Sequence, residues 1–216
     1  MGGKNGVNFS GYKNMVGTFN QPEFVICDMN LLRTLPEQEI LCGFGEIVKH
    51  AAIADAGMFS YLEENYEKAL ALDPDVIERL VSDSVVIKSA VVNRDEKETG
   101  ERRKLNFGHT FGHAIEKTGH ILHGQAISIG MVVAAALSVR RGYLPAGEAA
   151  RIKALLNHLK LPTRLRLDRQ KALDAIRRDK KREGDHINFV LLRGIGDALI
   201  EEISIQELEA VINEPC

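Results

Sequence analysis

Arg102, Asn106, His109 and His113 follow one another at intervals of four, three and four residues. On an α-helix that spacing stacks all four on one face. They belong to the stretch Arg102–Gly124, which holds four of the chain's seven histidines, an asparagine and two arginines. Gly108 and Gly112 flank the histidines and let another backbone come close, at some cost in helix propensity. A polar, partly cationic stripe of this kind suits a metal ion or an anionic ligand.

His109 and His113 place two imidazoles one helical turn apart, a spacing common in zinc sites. No glutamate follows the first histidine, so the general base of a zinc protease is missing. The plain alternative is a pair of core histidines satisfied by hydrogen bonds. Asn106, Arg102 and nearby His123 favour a site. A catalytic zinc commonly takes two histidines and a glutamate, leaving one position open. Glu46 is the best candidate for that carboxylate. It lies mid-helix among glycines and apolar residues, where an unpaired buried charge is costly. Lys49 shares its face, so a simple surface pair is the competing reading. Lys88 sits in an apolar helical run. It is either a stem reaching to solvent or a cation placed for an anionic substrate. The run Arg177–Arg182 reads as a solvated helix end or as a group of cations closing over a phosphate.

The elements that must position these residues are mostly helices. Pro36 opens a helix through Ile53 with glutamates in its first turn. Residues 58–72 form the next, and Asp73-Pro74 caps a long helix reaching Asp95. A charged loop, 96–100, precedes the central helix. A turn at Gly119 then leads to an apolar helix over 125–141, and Gly142 and Pro145 punctuate. Residues 146–159 and 168–181 are amphipathic. His186–Leu192 and Ala198–Ile203 read as a small hairpin, with a last helix over 204–213. Before residue 35, Val7–Phe9 and Phe24–Cys27 read as short strands joined by a loop over 11–20. Two or three strands cannot hide their edges alone. The expectation is therefore a mainly α domain, 35–216, preceded at 1–34 by the tail of a sheet domain.

The 216 residues are 44% hydrophobic and 27% charged, with a formal net charge of −2. That balance offers no field for nucleic acid or a membrane surface. Cys27, Cys42 and Cys216 lie far apart, which points to a reducing cytoplasm and away from a disulfide framework. No signal peptide is visible, and the longest apolar run, Ala126–Val139, is too short to span a bilayer. No internal repeat occurs.

At these same positions the sequence resembles the 3-dehydroquinate synthase family. The matching pieces are GGKNGVN at 2–8, GYKNMVGTF at 11–19, LRTLP at 32–36 and GFGEIVKHAAI at 43–53. They continue with the SxxIKxxVVxxDExE pattern ending at Glu98, LNFGHTFGHAIE at 105–116, LHGQAISIGMV at 122–132 and DKKREGDHINFVLLRGIG at 179–196. The resemblance implies the C-terminal helical domain of that family, with a small β-hairpin. It implies a zinc or cobalt ion held by Glu46, His109 and His123, so that His113 meets the substrate instead. Lys49, Lys88, Glu98, Arg102 and Asn106 match active-site positions. Lys4 and Asn14 match substrate contacts, and one of Lys180 and Lys181 matches another. Lys13, Leu31 and Thr34 match positions near the nicotinamide of NAD. The implied reaction turns a seven-carbon keto-acid phosphate into 3-dehydroquinate and inorganic phosphate, with transient oxidation by NAD, elimination and an aldol closure.

In one respect the chain departs from the family. No Gly-rich turn follows a strand and opens a helix, as a dinucleotide-binding domain requires. The resemblance thus implies a separated C-terminal region that keeps the metal and substrate residues and does not turn over by itself. Apolar surface around residues 1–35 is expected to be exposed, which leaves self-association, a homodimer included, open. Three rival readings are a sister sugar-phosphate cyclase, a polyol dehydrogenase of the same superfamily and a non-catalytic remnant. The first is weakened by Asn106 and His113, the second by a glutamate rather than an aspartate at position 46. An all-α phosphohydrolase would want a His-Asp dipeptide, and none occurs.

Overall fold

Helix α5, His123–Arg140, is apolar on every side and buried along nearly its whole length, as an all-round hydrophobic helix must be. In the computed structural model it packs against α1, α4, α6, the C-terminal hairpin and the last helix. The described residues are 3–9, 12–96, 100–119, 121–164, 182–183 and 186–213. The two hydroxyls buried in α5 are both satisfied. Ser128 donates to the Pro162 carbonyl at 2.8 Å, and Ser138 donates to the Ala134 carbonyl at 2.7 Å while accepting from the Leu192 amide at 3.0 Å. No helix among the described residues is long and apolar enough to cross a membrane.

Around this axis run α1 (Glu37–Ala54), α2 (Ala56–Leu70) and α3 (Pro74–Arg94). Asp55 ends α1 and caps α2, its carboxylate accepting from the Met58 amide at 2.9 Å. Asp73 caps α3 in the same way through Val76, and Pro74 occupies the first helical position. Further on come α4 (His109–Gly119), α6 (Ala146–His158) and α7 (Ile205–Asn213). Strands β3 (Arg182–Glu183), β4 (His186–Gly194) and β5 (Asp197–Ser204) form one antiparallel sheet in that order. Arg141 pins α7 to it, donating to Glu207 at 2.6 and 2.7 Å and to Glu201 at 3.1 Å. The expected mainly α domain with a C-terminal hairpin is what forms. The amphipathic stretch 168–181 lies outside the described residues.

Two expectations are corrected. The central helix is not continuous. Glu101–Asn106 is a 3-10 turn, and Gly108 breaks the chain with φ +75 before α4 begins. A side chain at Gly108 would meet the Ile127 carbonyl and Met131, so only glycine fits where the chain crosses α5. Arg102 and Asn106 therefore do not share a helical face with His109 and His113. The N-terminal segment also differs. Strands β1 (Lys4–Phe9) and β2 (Tyr12–Phe19) pair antiparallel, Val7 opposite Val16 and Gly6 opposite Gly17. The second strand runs through the span expected to be a loop, because Tyr12, Val16, Thr18 and Phe19 favour extended backbone and Gly17 is tolerated opposite Gly6. Phe24–Cys27 forms no strand. Val7, Phe9, Val16 and Phe19 are exposed, as expected of a ribbon with both edges open.

Candidate active site

Glu46 and Lys49 stand one turn apart on α1, where the helix faces α5. The Lys49 ammonium donates to Glu46 Oε2 at 2.7 Å and is buried, at 3% exposed. The other oxygen, Oε1, is buried and has no hydrogen-bond partner. It faces His109 Nε2 at 3.6 Å and His123 Nε2 at 3.9 Å. His109 opens α4 and His123 opens α5, so three separate helices meet at one carboxylate oxygen.

Both imidazoles are oriented from behind. His109 Nδ1 lies 3.1 Å from the Phe107 carbonyl, and His123 Nδ1 lies 3.0 Å from Glu116 Oε2. Each acceptor calls for a proton on Nδ1, which leaves both Nε2 lone pairs bare and aimed toward Glu46. An orphaned carboxylate oxygen beside two bare imidazole nitrogens is the donor set of a zinc or cobalt ion. The residues present therefore fit such a metal.

Charge agrees with this. Burial alone pushes the Glu46 carboxyl up, but the Lys49 ammonium outweighs it, helped by His109, and holds it down at about 2. His109 is held neutral by burial and then by the Lys49 charge, down to about 3. Burial also lowers Lys49, against the pull of Glu46. Lys88 on α3 adds positive potential that weakens proton binding at Lys49 and at His50.

The third histidine joins the group. Ring centroids lie 5.2 Å apart for His109–His113, 5.4 Å for His109–His123 and 5.8 Å for His113–His123. Arg102 is held on the 3-10 turn. Its amide donates to Asp95 Oδ2 at 3.0 Å and its guanidinium to the Glu96 carbonyl at 2.5 Å. Asn106 ends that turn. Thr34 donates to the Leu31 carbonyl at 3.0 Å within the 3-10 helix Met29–Thr34, and the Leu31 side chain is exposed. Lys4, Lys13 and Asn14 lie along the N-terminal ribbon. Glu98, Lys180 and Lys181 fall outside the described residues. The structure thus gathers Glu46, Lys49, His109, His113 and His123, with Lys88 felt electrostatically. Sequence reasoning did not single out Glu116, Asp95 or His50. The one available signal for Glu116 was a carboxylate one turn after His113 on the same helix.

His50 is 4% exposed, with Nδ1 2.6 Å from Ser84 Oγ and a buried, unpartnered Nε2. Burial, then the Lys49 charge, takes its pKa from 6.5 to about 3. Between those values the unfolded chain binds a proton that the folded chain refuses. Stability therefore rises with pH across that window and is lost as pH falls from 6.5 towards 3. Each such proton contributes a slope of about 1.4 kcal/mol per pH unit. His50→Gln is expected to flatten the slope by that amount in the unfolding free energies from urea denaturation of the metal-free protein at pH 4 to 6. Parallel curves would contradict the burial argument.

A family model for the C-terminal domain of 3-dehydroquinate synthase matches residues 43–182, and one for the N-terminal domain matches residues 1–42. The chain belongs to the 3-dehydroquinate synthase family. It is 42% identical over 217 residues to the 3-dehydroquinate synthase of Geobacter metallireducens, an alignment covering 99% of this chain and 60% of that relative. It is 46% identical over 204 residues to the 3-dehydroquinate synthase of Acidithiobacillus ferrooxidans, covering 93% and 56%. The chain therefore spans somewhat over half the length of the 3-dehydroquinate synthases it matches. Among solved structures, a 2-epi-5-epi-valiolone synthase from Streptomyces hygroscopicus with NAD+ and Zn2+ bound superposes with a TM-score of 0.87 at 28% identity, covering 98% of this chain and 61% of that one. A 2-deoxy-scyllo-inosose synthase complexed with carbaglucose-6-phosphate, NAD+ and Co2+ gives 0.86 at 27% identity, covering 97% and 61%.

Proposed function

We propose that these residues form the metal- and substrate-binding side of a 3-dehydroquinate synthase. That enzyme is a phosphate-eliminating lyase of the shikimate pathway, and its substrate is 3-deoxy-D-arabino-heptulosonate 7-phosphate. The observation that carries the reading is Glu46 Oε1, buried without a partner and facing two bare imidazole nitrogens. Glu46, His109 and His123 would hold Zn2+ or Co2+. Bound there, the metal would supply Lewis acidity and NAD would supply hydride-transfer capacity.

The chain's own groups do the rest. Arg102 suits a carboxylate through its planar fork, with Lys88 adding charge. His113, Lys4 and one of Lys180 and Lys181 neutralise the phosphate. Asn106 hydrogen-bonds a ring hydroxyl, Asn14 is a further substrate contact, and Glu98 belongs to the same site. Lys49 Nζ holds a proton that burial has loosened, and it sits against the metal carboxylate. Lys13, Leu31 and Thr34 lie on the NAD side. In this reading residues 1–34 are the end of the dinucleotide-binding domain, 35–216 form the catalytic helical domain, and the enzyme works in the cytoplasm.

A sister cyclase is the second reading, since both solved neighbours are of that kind. Identity of 42–46% to relatives named 3-dehydroquinate synthase, against 27–28% to those neighbours, favours the first. The test is zinc content and phosphate release by the purified 216-residue chain. About one zinc per chain is expected, lost in His123→Ala. Phosphate release from the heptulosonate phosphate is expected only when the dinucleotide-binding domain and NAD are added. A chain that refuses zinc would overturn the site. NAD-dependent release by the chain alone would overturn the division of labour.

A further inference from the structure

We infer that Gln21 is a positioning residue, which through Glu96 sets the distance between the strand of Lys4 and the turn of Arg102. This rests on the proposed function, in which Lys4 meets the phosphate of the substrate and Arg102 its carboxylate. Gln21 is fixed on its own side. Where β2 ends, the Asn20 amide donates to the Gly3 carbonyl at 2.8 Å, and Asn5 Nδ2 donates to the Asn20 carbonyl at 3.2 Å. Gln21 therefore leaves the ribbon beside residue 3, next to the start of β1 at Lys4. Its side chain lies over Gly3, where a Cβ would strike the Gln21 amide group. From there Nε2 donates to Glu96 Oε1 at 2.9 Å, across 75 positions of sequence.

Glu96 is fixed on the other side. It follows Asp95, the residue that ends α3. Its carbonyl accepts from the Arg102 guanidinium at 2.5 Å, while Asp95 Oδ2 accepts from the Gly100 and Arg102 amides at 2.8 and 3.0 Å. Glu96 thus takes Gln21 on its side chain and Arg102 on its backbone. The Gln21–Glu96 bond is exposed, so it adds little to the stability of the fold. A ligand that reaches Lys4 and Arg102 at once still depends on it, because a misplaced partner costs orientation at one end. A ligand with a single charged end does not.

Calorimetric titration of the zinc-loaded chain tests this, with 3-deoxy-D-arabino-heptulosonate 7-phosphate set against the same sugar acid without its phosphate. Gln21→Ala is expected to weaken binding of the phosphate ester about 5-fold. Binding of the dephosphorylated acid, zinc content and melting temperature are expected to stay unchanged. Gly3→Ala is expected to act in the same way, by pushing the Gln21 amide off Glu96. Gln21→Glu, which sets two carboxylates face to face, is expected to weaken the ester further. Joining Gln21→Glu with Glu96→Gln exchanges donor and acceptor, and is expected to bring ester affinity back to within about 2-fold of the parent. Equal ester affinity in Gln21→Ala and the parent would overturn the role of Gln21. So would an equal loss for both ligands, which marks a general defect of the site. A parent chain that holds zinc yet binds the ester no more tightly than the dephosphorylated acid would overturn the placement of Lys4 on the phosphate, and the bridge with it.

Discussion

Glu46→Gln is expected to lower zinc affinity by more than ~100-fold, because outer partners of metal ligands alone are worth 10–100-fold. The same change costs stability even without metal. Lys49 is buried, and Glu46 is the group that both neutralises it and accepts its proton at 2.7 Å. Removing one member of a buried pair leaves an uncompensated charge, at a cost of about 3 kcal/mol where, as here, the carboxylate side is partly open. Lys49 then sheds its proton. Adding Lys49→Met to Glu46→Gln is expected to recover most of the stability and none of the zinc binding. Urea denaturation in chelator, beside a zinc competition titration, separates the two effects. Unchanged zinc affinity in Glu46→Gln would remove the carboxylate from the site.

The second large effect is steric. Gly130→Ala is expected to destabilise the protein by ~3 kcal/mol and to weaken zinc binding with it. A Cβ at Gly130 would lie 1.9 Å from the Gly108 carbonyl oxygen, and backbone cannot swing aside as a long side chain can. Gly108 is the residue before His109, while α5 begins at His123. Forcing α4 off α5 therefore moves one imidazole away from the other. Gly147→Ala is the control. It adds a methyl to α6 where nothing lies within 4 Å, and it is expected to be neutral or slightly stabilising. Thermal melts and the same zinc titration check both variants. Equal melts for Gly130→Ala and the parent would show that the α4–α5 contact is not so close.

The helical architecture was legible because the apolar runs and caps are strong. Asp73-Pro74 and the uniformly apolar run behind His123 mark α3 and α5 within a residue or two. The continuous helix through Arg102–His113 was not legible as an error. The break depends on where Gly108 meets Gly130, a contact between residues far apart in sequence. Strand β2 was hidden for a similar reason, since Gly17 reads as a turn residue until Gly6 is found opposite it. Glu46, His109 and His123 were named together from the family resemblance, and spacing alone favoured His113. The structure gathers all four, which spacing and resemblance each described in part. The Phe107 carbonyl could not be read at all, and Glu116 offered only its place one turn after His113, because a carbonyl or carboxylate becomes an orienting group only through the ring it faces.

The glycine contacts of α5 also bear on motion. At Gly124 and Gly130 the helix meets the backbones of α1 and α4 with no side chain between them. Packed backbones have no rotamers to exchange, so these three helices cannot slide or breathe against one another by repacking. They move as one body. A rearrangement around a bulky ligand is left to parts outside these three helices, the N-terminal ribbon among them, where both edges are open. A fixed metal-ligand geometry and a freer neighbouring segment thus belong to different stretches of the same polypeptide.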